Sequence, residues 1–214
     1  MAKGFELPIF ELPVALLPGE LLPLHIFEER YKRMISHCLE SGEPFGIVLR
    51  DDDGSARRIG CEARVAEITE RFEDGRMNIV VAGERPFRVL DRFEAPGYPA
   101  GEVEPIDPSP VAAEPDAKAA DIARAAFAEL VRRVSGEAPE ESELAAEDSY
   151  GLAARVELPA ETKQRLLELR SEVERMRVLG RALRALVEAV NRSERVAARA
   201  RMNGKVIVAG PDDA

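Results

Sequence analysis

The chain of 214 residues contains no tryptophan, and aromatic residues make up only 5% of it. Nucleic-acid-binding proteins stack bases on aromatic rings and neutralise phosphates with Lys and Arg, whereas this chain carries a formal net charge of −10. Both features argue against a general nucleic-acid binder. Only two histidines are present, so a histidine-assisted nucleophile would have to use His25 or His37. His25 lies in the apolar run LPLHIF and reads as a structural hydrogen bonder that ties the entry segment to the start of the following helix; His37 reads as solvated beside Arg33. Cys38 and Cys61 are the two cysteines, too few for a disulfide framework, and both fall in buried-type patterns that fit a reducing compartment. No uninterrupted apolar stretch approaches the roughly 18 residues of a spanning helix. Glu6, Pro8, Glu11 and Pro13 break up the segment after Lys3 where a secretory signal would need its apolar core. The expectation is a cytoplasmic protein that engages no membrane.

Motifs for bound groups are absent as well. There is no G-x-x-x-x-G-K-[ST] phosphate loop. His37 and Cys38 are helical neighbours that point about 100° apart, and with His25 and Cys61 they match no zinc spacing. Asp51, Asp53, Ser55 and Glu62 have the spacing of calcium-loop ligands, but Ala56 replaces the glycine that such a loop needs at its turn. They read as a polar hairpin tip. No metal, no cofactor and no catalytic residue is assigned.

What the chain does have is an apolar, proline-punctuated start, FELPIFELPVALLPGELLPLHIFEERY, from Phe5 to Tyr31. Pro8, Pro13, Pro18 and Pro23 each remove a backbone donor and fix φ, so no long helix can form before Pro23. The apolar residues between them must be buried as short strands and extended pieces. From Phe27 onward, Phe27, Tyr31, Met34, Ile35, Cys38 and Leu39 share one helical face, with Gly42 as the C-cap. Asp53-Gly54 and Asp74-Gly75 are hairpin signals. Met77, Ile79 and Val81 alternate with Asn78, Val80 and Ala82, and Phe87, Val89 and Phe93 resume the pattern after an interruption at Pro86. Residues 5–106 therefore read as β-rich with one embedded helix, and 107–116 (DPSPVAAEPD) as a linker.

Beyond the linker, Ala, Leu, Arg and Glu dominate, which are strong helix formers. Residues 117–202 read as a helical unit. Ala120, Ala123, Phe127, Leu130, Val131 and Val134 form a stripe closed by Ser135-Gly136. The acidic stretch Glu137–Asp148, containing Pro139, reads as a loop, followed by short helices near Tyr150–Val156 and Pro159–Leu169. Ser171-Glu172-Val173-Glu174 has the S-x-x-E pattern of a capping box and opens a helix running to about Met202, about 45 Å long. Met176, Leu179, Leu183, Leu186 and Val190 have heptad spacing over barely two heptads, which reads as packing within a bundle, with a homodimer seam as the alternative. Residues 203–214 form a tail in which Lys205–Val208 has the character of a strand.

The segments PIFELPVALLPGELLPLHIFEERYKRM, FGIVL, GCEARVAEI, DGRMNIVVAGERPFRVLD and ELPAETKQRLLELRSEVERMRVL occur here in order. In that order they resemble the N-terminal, substrate-binding domain of Lon proteases. The resemblance covers most of the chain. It implies an α+β fold: an N-terminal β-rich, PUA-like pseudo-barrel with one embedded helix, followed by a C-terminal α-helical bundle with a long final helix. With no phosphate loop, and with residues too few for a motor and a peptidase, it implies a stand-alone, non-enzymatic module that binds protein or peptide. The partners expected on that basis are unfolded or extended protein segments, together with a protease or chaperone. Glu29 stands where many relatives carry Pro, and a first helical turn accepts either.

Leu21, Leu22, Pro23, Leu24 and Phe27 are more apolar than an irregular segment requires, and they are the candidate peptide-binding residues. Analogy with RNA-binding PUA-like folds supplies the competing reading, with Arg192, Arg195 and Arg199 on the long helix as its only basic foothold.

Overall fold

The computed structural model describes residues 4–107 and 117–203. The expected linker 107–116, apart from Asp107, and the expected strand Lys205–Val208 lie outside the described residues.

Proline placement organises the first strands. Strand β1 (Phe5–Leu12) pairs antiparallel with β6 (Tyr98–Pro105) over Phe5–Pro8 and parallel with β3 (Phe45–Arg50) over Ile9–Leu12. Pro8 sits where β1 changes partners. After an irregular stretch, β2 (Leu21–Ile26) pairs with β5 (Met77–Ala95), antiparallel from Leu21↔Ala82 to Ile26↔Met77, and with no other strand among the described residues. Strand β4 (Ala56–Arg71) lies between β3 and β5. The second half of β5 pairs with β6, so β5, β4, β3, β1 and β6 close into a ring. Strand β2 stays outside that ring, as an edge on the first half of β5.

Pro86 does not interrupt β5, contrary to the sequence pattern. The strand runs through it opposite Cys61, next to a bulge in which Glu84 and Arg85 of β5 stand opposite Glu62 alone. Pro86 turns its backbone polar side to the end of β6, so no β4–β5 bond is lost. The Pro86 carbonyl accepts a bond from the Ile106 N–H at 3.0 Å. Alternation along Met77–Ala82 follows the sequence, with Met77, Ile79 and Val81 buried.

Inside the ring, Leu7, Ile9, Val48, Phe87, Val89 and Val103 form one core. Phe87 fits because Gly46 faces it: a Cβ there would sit 2.4 Å from the Phe87 Cζ. A second, larger core covers the outside of the sheet and extends through the helices. Helix α1 (Glu29–Ser41) contributes Tyr31, Met34, Ile35 and Cys38 to it and ends on Gly42 at φ 72. Its first residue is Glu29, the position where either Glu or Pro is accepted. Phe27 precedes the helix and is exposed rather than part of its buried face.

Helices α2 (Ala117–Ser135), α3 (Glu141–Ala146), α4 (Ser149–Ala153), α5 (Ala160–Glu168) and α6 (Glu172–Asn203) make the second half. Helix α3 corrects the loop expected at Glu137–Asp148: one apolar residue, Leu144, is buried and anchors it. Ser171 caps α6 through its hydroxyl, which accepts from the Glu174 N–H at 3.4 Å. Met176, Leu179 and Leu183 are buried in the core shared with Ala123, Phe127 and Leu130 of α2, so this part of the stripe is used within the chain. Farther along, Arg192, Arg195 and Arg199 are exposed, with Glu194 between them paired to Arg133 at 3.2 Å. Among the described residues, no helix is long and apolar enough to cross a membrane.

Helix α5 holds the two halves together. Gln164 donates to the Ile59 carbonyl of β4 at 3.2 Å, Arg57 pairs with Glu161 at 2.9 Å, and Lys163 pairs with Glu20.

Candidate functional site

Side-chain direction alternates along a strand, and β2 shows this clearly. Leu21, Pro23 and His25 project outward and are exposed, while Leu22 and Leu24 are half-buried against the larger core and Ile26 is fully buried. The five apolar residues expected at the site therefore divide. Leu21 (63% exposed), Pro23 and Phe27 (59% exposed) are available to a partner. Leu22 and Leu24 are inward, and remain only half-covered because, among the described residues, no strand lies beyond them.

The irregular lead-in fixes where β2 begins. The Gly19 N–H donates to the Gly83 carbonyl and the Gly83 N–H donates to the Glu20 carbonyl, both at 2.9 Å. This close approach needs glycine: a Cβ on Gly83 would lie 2.1 Å from the Leu17 carbonyl oxygen. The same bond sets the phase of the antiparallel ladder. Leu22, Leu24 and Ile26 direct their backbone groups to β5, whereas Leu21, Pro23 and His25 direct theirs to the open side. Pro23, which has no donor to offer, occupies an open-side position, as edge-strand prolines do.

Around Phe27 an aromatic group forms that sequence reasoning missed. The His25 ring stacks on Phe27 at 5.8 Å and meets the edge of Phe72 at 6.1 Å, and the Arg76 guanidinium lies over Phe72 at 5.0 Å. Asn78 donates its amide to Glu70 at 2.8 Å, which turns its oxygen toward His25, so the His25 Nδ1–H is the donor in their 2.6 Å bond. His25 has a structural bond as expected, but to β5 rather than to the start of the helix. His37 is exposed and stacks on Tyr98 at 5.9 Å.

At the Leu21 end of β2 lies a cleft of about 450 Å³ between the two halves of the molecule. Leu21 and Leu22 form one wall, Val156, Leu158 and Ala160 another, and the Glu20–Lys163 pair sits within it with both side chains 13% exposed. Glu20 also accepts from the Leu17 N–H at 3.0 Å, so one carboxylate clamps the lead-in and ties it to α5. Its partner is 143 residues away, and no local sequence signal could have revealed the cleft.

The reactive side chains are quiet. Burial pushes the Cys38 thiol up to about 11 and raises that of Cys61 further, so neither ionises near neutral pH. Ser55 donates to Asp53 at 2.7 Å and to Asp51 at 3.4 Å at the hairpin tip, where Arg57 engages Asp51 at 2.7 Å. Glu62 is buried in β4 against Arg85 at 2.8 Å, so the fourth residue with calcium-loop spacing does not join the other three. The geometry is suited to holding an apolar, extended ligand.

These features define a two-part α+β domain: a closed β-barrel carrying one helix and one open edge strand, and a helical bundle with a long last helix. The chain belongs to the ATP-dependent protease La (LON) substrate-binding domain family, whose sequence profile matches residues 6–185. Its fold is similar to that of a Lon N-terminal domain protein from Xanthomonas campestris, at 26% identity and a TM-score of 0.60, covering 80% of this chain and 95% of that one. It is also similar to the N-terminal domain of the Mycobacterium avium complex Lon protease, at 24% identity and a TM-score of 0.66, covering 84% of this chain and 98% of that one.

Proposed function

We propose that this chain is a non-enzymatic, cytoplasmic protein-binding module that takes extended, apolar stretches of unfolded polypeptide on the β2 surface and in the adjoining cleft. One observation carries this reading. Among the described residues, Leu21 and Phe27 are two of the six large apolar side chains left exposed, and they flank an open edge strand that borders the cleft. An isolated exposed leucine needs no explanation, but a contiguous apolar edge beside a cleft does. Family membership agrees with it, since the family is that of Lon substrate-binding domains. The natural partners on this reading are unfolded segments and the protease or chaperone that processes them.

Leu21→Asp combined with Phe27→Asp tests the site. Both side chains point to solvent, so the variant keeps its fold by circular dichroism. Titrated against a fluorescein-labelled, permanently unfolded polypeptide, it binds at least about tenfold more weakly than the parent chain, since burying one such side chain is worth about 1.5–3 kcal/mol. Unchanged affinity removes the site.

A further inference from the structure

We infer that β2 binds its ligand by strand addition: an extended segment with an apolar residue at every second position lies along the open side of β2 and extends the sheet. This rests on the protein-binding reading above and specifies how that binding is made.

The backbone names the occupant. With the ladder phase set by the Gly83 N–H to Glu20 carbonyl bond, the open side presents the N–H and C=O of Leu21, the C=O of Pro23 and the N–H and C=O of His25. Successive outward groups recur every second residue, about 7 Å apart. That repeat is matched by another main chain in β conformation, which places its own paired groups at the same interval. Among the described residues no strand pairs with this side of β2.

The side chains specify the pattern of the incoming strand. Leu22 and Leu24 face the core yet stay half-buried, because no strand among the described residues covers their outer flank. Residues of an added strand that sit beside them point to the same face, so apolar side chains there complete the core. The intervening residues lie level with Leu21, Pro23 and His25 on the outer face, where polar side chains are tolerated. At the Leu21 end, the cleft of about 450 Å³ leaves room for the incoming chain to continue between the barrel and the Val156–Leu158 wall.

Pro23 tunes the interaction. It withholds the middle donor of the edge, so an added strand forms one bond fewer than an uninterrupted edge would allow. A proline at this position keeps two copies of the edge from pairing indiscriminately while leaving enough of the edge for a ligand.

The test uses the full chain and a short fluorescein-labelled peptide in which valine alternates with threonine, with each backbone amide N-methylated in turn. In an antiparallel added strand, valines that cover Leu22 and Leu24 place the threonine amides against the edge. Methylation at the central threonine positions weakens binding roughly three- to tenfold per site, and methylation at valine positions leaves it unchanged. Pro23→Ala restores the missing donor and tightens binding of the unmodified peptide by a similar factor. Binding that responds equally at both kinds of position, together with a neutral Pro23→Ala, overturns strand addition while leaving the protein-binding reading intact. Failure of the unmodified peptide and of the unfolded polypeptide to bind overturns both. Dimerisation of Pro23→Ala without peptide binding assigns the edge to a second copy and overturns the proposal.

Discussion

Gly83→Ala separates two physical effects that predict opposite signs. Gly83 has no positive φ, so alanine is sterically compatible with its own backbone conformation. Reduced freedom of the unfolded chain alone would then make the variant more stable by about 0.4–1 kcal/mol. The surroundings say otherwise. The new Cβ would meet the Leu17 carbonyl oxygen at 2.1 Å, the Leu17 carbonyl carbon at 2.9 Å and the Leu16 Cγ at 3.1 Å. Two of these are backbone atoms, so relief requires moving the whole Leu17–Glu20 segment. Movement breaks the two Gly83 backbone bonds, worth about 1 kcal/mol each. It also uncovers part of Leu16 and Leu17, which are fully buried and worth about 1.5–3 kcal/mol each when completely exposed. The expected net change is a loss of about 2–4 kcal/mol in urea denaturation. The displaced segment also starts β2, so peptide affinity falls in the same variant. A Gly83→Ala protein as stable as the parent, or more so, refutes the close-approach argument.

Other expectations follow the same reasoning. Leu183→Ala in the α2–α6 core should cost about 2–5 kcal/mol by denaturant unfolding, because the site is completely buried. Arg85→Met should cost about 2–4 kcal/mol, since it leaves the Glu62 carboxylate buried without its 2.8 Å partner; Glu62→Gln in the same background should recover part of the loss. Stability should decline in alkali. Burial raises the Tyr150 hydroxyl from 10.0 to about 12, so the folded state holds this proton while the unfolded state releases it. The contribution is complete below pH 10 and is lost as pH rises from 10 to 12. Tyr150→Phe should be less stable at neutral pH, losing the 3.2 Å bond to the Leu166 carbonyl, but should show a flatter alkaline limb in thermal melts.

Local features were legible wherever one residue type has one physical use. Gly42, Gly54, Gly75 and Gly136 all adopt positive φ at the turns and helix ends that the sequence marked. The alternation of Met77–Ala82 survives intact because one face is core and the other is not. Helix α3 was not legible: its apolar signal is the single residue Leu144 in an acidic stretch after a proline. Pro86 misled for a related reason. Whether a strand survives a proline depends on which neighbour its missing donor faces, here the last residues of β6, which is a property of the pairing and not of the segment. The candidate site was half legible. The run Leu21–Phe27 is conspicuous, but its division into outward Leu21 and Pro23 and inward Leu22 and Leu24 is set by how β2 pairs with β5, which the run itself does not carry. The cleft was hidden because its walls come from segments far apart in the chain, joined by contacts such as Glu20–Lys163 across 143 residues. Ring closure was hidden too, since it depends on β1 pairing parallel to β3 and on β6 returning to both β1 and β5.

The central claim is that this molecule recognises polypeptide through apolar surface. The most direct measurement is equilibrium binding of the full chain to a labelled unfolded polypeptide and to labelled single-stranded RNA, side by side, at low and at moderate salt. The account predicts polypeptide binding that persists as salt rises, and RNA binding that is weak throughout, as a net charge of −10 requires. RNA binding that is tight at low salt, falls steeply with added salt and disappears when Arg192, Arg195 and Arg199 are neutralised would contradict it and move the function to the end of the long helix.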